Sequence, residues 1–294
     1  MNRALFVAAI GLFVCGTSAS ASAFCRTKTC GKHCTFDENT CPIEGKPIAW
    51  GGSCVSFTVQ RDGSPSISQS TLSETADAAF RVWQKATCPL TSKPPGLSVG
   101  DVFGIAVCGR VEYNSRQANA NIIVMRESWD ADPSALAITT VTINTETGEL
   151  YDADMEINGT QPLSAGPPVP NRFDLQSIIT HEAGHFLGIA HTNQAGATMF
   201  PTYQPGVEDF RTLENDDIAA ICTAYPPERS ATACDWRPRR GFSAECGLDP
   251  ITGGGCSLVA PHRSSARAMA AFFLGCSVVV RRLRRPRQRG QKLT

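Results

Sequence analysis

Histidine is scarce in this chain, five residues in 294. That scarcity excludes a His-rich loop able to stock several metal sites: outside one short stretch only His33 and His262 exist, each near an end. Net charge is absent, with 27 basic and 27 acidic residues. The balance hides an asymmetry. Arg3 stands at the start and nine bases follow Cys256, while every acid lies between, so the body of the chain is acidic. An acidic body excludes nucleic acid as a partner, because that binding requires a basic face. No apolar run reaches the roughly 20 residues a membrane-spanning helix needs; the run Ala268 to Val280 has 13. No internal repeat is visible, which excludes a solenoid or propeller.

What is present is concentrated in residues 181–191, HEAGHFLGIAH. Residues four apart on a helix share a face, so His181 and His185 can offer imidazoles to one ion. Gly188 can take positive φ and break the helix without steric cost, which lets His191 return as a third ligand. Three imidazoles and one open position make the ligand set of a catalytic zinc. Glu182 then stands where it can take a proton from water. The pattern fixes five positions over eleven residues, far more than a bare HExxH.

Eight residues past His191, Met199 sits in Ala197-Thr198-Met199-Phe200-Pro201-Thr202-Tyr203. Here the sequence resembles the metzincin metallopeptidases, and the spacing of Met199, Pro201 and Tyr203 resembles their matrixin branch. The resemblance spans roughly residues 46–227. It implies an α+β fold: a twisted mixed sheet with an antiparallel edge strand, a long zinc helix, a methionine turn and a C-terminal helix. It implies one catalytic Zn2+ on His181, His185 and His191, with Met199 beneath it. It places Pro201 and Tyr203 in the wall of the pocket for the residue after the cut bond. Leu136 and Ala137 on the edge strand would line the cleft and pair with an extended protein or peptide substrate, unless a loop caps that edge. Asp216 and Asp217 would buttress the methionine turn; two acids at a helix start also suit the helix dipole.

Three features depart from well-known secreted relatives. No inhibitory prodomain with a zinc-blocking cysteine is recognisable, no loop for a second, structural zinc exists, and the usual calcium loops are not evident. Asp152, Asp154 and Asn158 offer oxygens to Ca2+; the plainer reading is a solvated strand face.

The ends have their own signatures. Residues 1–23 combine Arg3, an apolar stretch and Ala21-Ser22-Ala23, as in a secretory signal peptide. Residues 256–294 run Cys256, apolar segment, Arg-rich end. That order resembles the C-terminal sorting tails of myxobacterial surface proteins and implies delivery to the outer surface of a Gram-negative cell; a basic disordered tail is the other reading. Ten cysteines lie between these ends, an even number that implies up to five disulfides in an oxidising compartment. The Cys30 to Cys34 cluster with His33 lacks zinc-finger spacing and reads as part of that framework. The expected organisation is therefore a signal peptide (1–23), a cysteine-rich segment (24–45), a peptidase domain (46–227), a stapled linker (228–255) and a sorting tail (256–294).

Within the domain, residues 54–60 alternate as a half-buried strand. Thr71 and Glu74 form a capping box for a helix whose face holds Leu72, Ala76, Ala79, Phe80 and Trp83. Residues 121–125 read as a buried strand, and 135–158 as two strands turning at Thr147-Gly148. Asp174 caps the zinc helix, and residues 213–225 form the last helix. These readings converge on an exported zinc-dependent endopeptidase. The rivals are another metzincin-type zinc hydrolase, and a non-enzymatic surface adhesion or binding protein that retains the site.

Overall fold

The computed structural model describes residues 24–37, 41–229 and 234–247 and the backbone of 291–293. The signal-like start and nearly all of the tail lie outside the described residues. In chain order the elements are β1 (Cys25–Arg26), β2 (Ala49–Trp50), β3 (Cys54–Val59), α1 (Gln69–Gln84), β4 (Ser98–Asp101), β5 (Ile122–Arg126), β6 (Ala137–Ile143) and β7 (Glu149–Asn158). There follow β8 (Leu163–Ser164), β9 (Phe173–Asp174), α2 (Leu175–Phe186), β10 (Ile189–Ala190), α3 (Asn215–Ala224) and β11 (Gln291–Leu293). Among the described residues no helix is long and apolar enough to cross a membrane.

The main sheet is mixed. Strands β4, β3, β5 and β7 pair in parallel in that order, and β2 joins β7 in parallel. Strand β7 returns antiparallel on β6 after a turn in which Gly148 takes φ +83°. Residues 291–293 lie antiparallel along Thr139 to Val141 of β6. The outer backbone of β6 is thus partly paired rather than wholly bare, as unpaired strand donors and acceptors attract a further strand.

Two local expectations are corrected. Helix α1 starts before Thr71: Ser68 is its N-cap, and the Ser68 side chain accepts from the Thr71 N–H at 3.1 Å. The Ser68 hydroxyl reaches the N–H three residues on, so the chain turns helical three residues earlier than a Thr71 cap would allow. Strand β3 is buried at all six positions, not on one face. Helix α1 covers one side, while segment 234–247, bound by Cys54–Cys234 and Cys108–Cys246, lies on the other.

The apolar face read from α1 is wholly buried. Phe80 stacks on Phe57 of β3 at 4.8 Å between centroids and meets Phe186 of α2 edge-on at 5.0 Å. Helix α1 therefore wedges α2 against the sheet; each such large side chain contributes about 1.5–3 kcal/mol on burial. Among the described residues all ten cysteines pair, as Cys25–Cys41, Cys30–Cys34, Cys54–Cys234, Cys88–Cys222 and Cys108–Cys246. The last three close loops of 180, 134 and 138 residues. Chain entropy alone gives such loops about 4–5 kcal/mol each.

Candidate metal centre and active site

Helix α2 is braced at both ends. Asp174 accepts from the Ser177 N–H at 2.8 Å, the expected cap. The same carboxylate receives Arg211 through Nη2 (2.5 Å) and Nε (2.8 Å), tying the segment after Tyr203 to the helix start. At the other end the carbonyls of Phe186 and Leu187 accept from Trp50 Nε1 (2.9 Å) and the Tyr225 hydroxyl (3.0 Å). These are carbonyls a helix end leaves without helical partners. Gly188 then takes φ +80°, and a Cβ there would stand 2.5 Å from the Ile48 carbonyl oxygen. Only glycine fits this turn, which redirects the chain to His191.

The three imidazoles converge. His191 Nε2 lies 3.1 Å from Nε2 of both His181 and His185. Three nitrogens held about 2.0–2.1 Å from one tetrahedral ion would stand roughly 3.3 Å apart, so the donor set fits zinc. His181 Nδ1 is 2.6 Å from the Thr198 carbonyl oxygen, and His185 Nδ1 is 2.9 Å from that of Ile189. With the proton on Nδ1 in both, the Nε2 lone pairs face inward. Burial lowers all three pKa values, to about 3 for His181 and about 4 for His191, with neighbouring imidazoles adding to the effect at His181 and His185. Neutral imidazole is the ligating form. Among the described residues, no other group of three or more His, Cys, Asp or Glu converges as a candidate metal site.

Glu182 lies beside this trio and is only 6% exposed. Thr139 Oγ1 donates to Glu182 Oε2 at 2.6 Å. Burial pushes the Glu182 pKa up to about 7, and the Thr139 bond pulls it back. A carboxylate near neutrality is suited to both accept and release a proton.

A cavity of about 390 Å³ joins these groups. The three imidazoles and Glu182 line it, with Leu136 and Ala137 from the β6 side and Pro201 and Tyr203 from the segment after the third histidine. All the site residues expected from sequence except Met199 thus face one space. Phe173 and Phe210 also line it, and the Tyr203 ring lies 5.0 Å from Phe210 and 6.3 Å from Phe173.

Met199 is buried at the back of α2. A Cβ on Gly184 would come 2.2 Å from Met199 Sδ and 2.9 Å from Trp83 Cζ2. Glycine at 184 therefore lets the methionine approach the helix. The Asp pair divides its work. Asp217 is fully buried and accepts from the N–H groups of Thr198 (2.8 Å), Met199 (3.1 Å) and Glu214 (2.9 Å). It caps α3 and holds the methionine segment at once. Asp216 is half-buried and pairs with Thr192 instead.

The solvated-face reading of Asp152 and Asp154 is overturned. Each is 2% exposed, because segment 112–122 folds over them: Asp154 accepts from the N–H groups of Glu112 (3.0 Å) and Ile122 (2.9 Å). Burial raises both pKa values, that of Asp154 to about 8, and the two carboxyls hydrogen-bond to each other. Asn158 does not join them; its amide donates to the Ala135 carbonyl at 2.9 Å and its oxygen accepts from Thr160.

Thr139 was not singled out from sequence. Its signal was the alternation of Ala137, Thr139 and Val141, which aims one polar side chain at the cleft. The roles of Trp50 and Tyr225 left no local signal, since each reaches α2 from a distant element.

Residues 111–226 match the family model described as Matrixin. The chain carries a matrixin-like domain. The match starts before β5 and ends just after α3, so it contains every residue named above as lining the cavity, and Met199. Similar proteins include matrix metalloproteinase-16 of Rattus norvegicus, 30% identical over 51% of this chain and 23% of that protein. The hatching enzyme of Paracentrotus lividus is 28% identical over 54% of this chain and 23% of its own length. Metalloendoproteinase 1-MMP of Arabidopsis thaliana is 29% identical over 29% and 21%. The chain thus spans less than a quarter of each of these relatives. The matrixin-like domain sits in a chain whose first strands, β1 to β4, precede the matched region.

Proposed function

We propose that this chain is a zinc-dependent endopeptidase that hydrolyses peptide bonds of protein or peptide substrates. The observation that carries the reading is the meeting of three inward Nε2 atoms with a buried glutamate in one cavity. His181, His185 and His191 hold Zn2+ in this reading. Zinc bound there supplies Lewis acidity, polarising a carbonyl and bringing the pKa of a water from about 15.7 to about 7. Glu182 acts as general base: it takes the proton of the attacking water and passes it to the leaving amine as the C–N bond breaks. Thr139 orients its carboxylate. Leu136 and Ala137 offer strand backbone to an extended substrate. Pro201 and Tyr203 wall the pocket for the side chain after the cut bond, and Phe173 and Phe210 make that pocket apolar. Met199 serves as the methionine beneath the metal, within a peptidase domain of residues 46–227. Five disulfides suit export to an oxidising compartment.

The test is cleavage of casein or gelatin by purified protein, with and without a chelator, alongside metal analysis. One zinc per chain and chelator-sensitive cleavage are expected. Glu182→Ala should retain zinc and lose cleavage by a factor on the order of 10²–10⁴. Zinc without cleavage of any protein or peptide would favour the binding-protein rival.

A further inference from the structure

The cysteine-rich start of the chain is not an appendage. Strand β1 pairs antiparallel with β10, the two residues immediately before His191. The Thr27 N–H donates to the Gly188 carbonyl at 3.0 Å, at the turn that redirects the chain to His191. The Arg26 guanidinium reaches the carbonyls of Gly188 (3.3 Å) and Ile48 (2.5 Å). Beyond this anchor the chain is stapled twice, by Cys25–Cys41 and Cys30–Cys34. Phe36 and Pro42 face each other across an antiparallel bridge, flanked by the Ile43 N–H donating to Thr35 at 3.1 Å. The result is a fixed wall beside the third histidine.

That wall encloses a second cavity of about 590 Å³. Its lining includes Thr27, Lys28, Phe36 and Pro42 on one side and Ala190 on the other. His185, His191 and Pro201 line both this cavity and the Tyr203-walled one, so the two meet at these two imidazoles. Phe36 is 58% exposed, a large apolar ring left uncovered at the cavity. An extended chain advances about 3.3 Å per residue. A substrate lying across the imidazoles with one side chain in the Tyr203 pocket can run its other half along this wall, because the two cavities share His185, His191 and Pro201.

We propose that residues 24–37 and 41–45 form a second specificity subsite of the cleft. Phe36 and Pro42 receive an apolar substrate side chain on the side of the cut bond opposite the Tyr203 pocket. This rests on the peptidase reading above. The preferred substrate class is a polypeptide with a bulky apolar residue within about three positions before the bond that is cut.

The experiment profiles cleavage sites of a denatured protein digest by mass spectrometry, then measures kcat/KM on two peptides differing only by Leu or Ser at the enriched position. Wild-type protein and Phe36→Ser are compared in the full chain. The wild type should favour Leu, and the Leu-to-Ser ratio of kcat/KM should fall about tenfold in Phe36→Ser, the size of one apolar pocket contact. Phe36→Leu should restore most of that ratio, which separates a lost contact from a damaged fold. An unchanged ratio in Phe36→Ser, or no apolar preference before the cut in the wild type, overturns the subsite while the peptidase reading stands. A zinc-loaded wild type that cuts nothing overturns both.

Discussion

Thr139 of β6 donates a 2.6 Å hydrogen bond to the Glu182 carboxylate of α2, linking the cleft-side strand directly to the acid beside the imidazole trio. This bond stabilises the charged form of Glu182 against the burial that disfavours it. Thr139→Val removes the bond at nearly constant volume. The Glu182 pKa should then rise, so a larger share of the protein is protonated and unable to act as base on the acid side. The acid limb of the kcat/KM profile should move to higher pH, with a loss of roughly tenfold at pH 6, matching a charged-group hydrogen bond of about 1.5 kcal/mol. Rates on one peptide between pH 5 and 9 check this; parallel profiles with no displacement would remove Thr139 from the account.

Gly184 allows Met199 and Trp83 to close on the helix. Gly184→Ala puts a methyl where Met199 Sδ already stands. Helix propensity alone favours alanine by about 1 kcal/mol. Overpacking should outweigh it, for a net loss of about 1–2 kcal/mol. Urea unfolding with the disulfides intact reads the sign, and a stabilised variant would mean that the methionine moves freely.

The Asp152–Asp154 pair predicts how stability varies with pH. Both folded pKa values are raised, by burial first. The native state therefore binds more protons than the unfolded one between the ordinary carboxyl value of 3.8 and about 8. Stability contributed by the pair is present below that window and lost as pH rises through it. Asp152→Asn keeps the shape and removes one charge, so the decline in unfolding free energy from pH 5 to 8 should become shallower. Denaturant titrations at pH 5 and pH 8 on both proteins decide it; equal slopes would show that the pair does not carry a shared proton.

Metal removal should lower stability without unfolding the chain. Ligand binding to the native state alone adds RT ln(1 + [L]/Kd), about 4 kcal/mol at a thousandfold excess over Kd. Helix α2 is held independently by Asp174, Trp50 and Tyr225, and the surrounding chain by five disulfides. Chelation should thus depress Tm while the far-UV circular dichroism spectrum persists at 25 °C. Loss of that spectrum on chelation would make the metal a folding requirement instead.

The sequence by itself determined whatever depends on short spacing. Histidines one turn apart, a glycine three residues on and an Asp ahead of an apolar run each act within a few residues, so the convergence of the three imidazoles, the turn at Gly188 and the cap at Asp174 were legible. The even cysteine count carried the number of disulfides for the same reason: counting needs no partner. Partners across the chain were decided only by tertiary structure. Cys54 meets Cys234, Thr139 meets Glu182, and segment 112–122 buries Asp152 and Asp154. The placement of β1 against β10, which sets a cysteine-rich start beside His191, belongs to the same class. Those contacts join residues tens to hundreds of positions apart, and their energy comes from burial and pairing that exist only once the sheet has assembled.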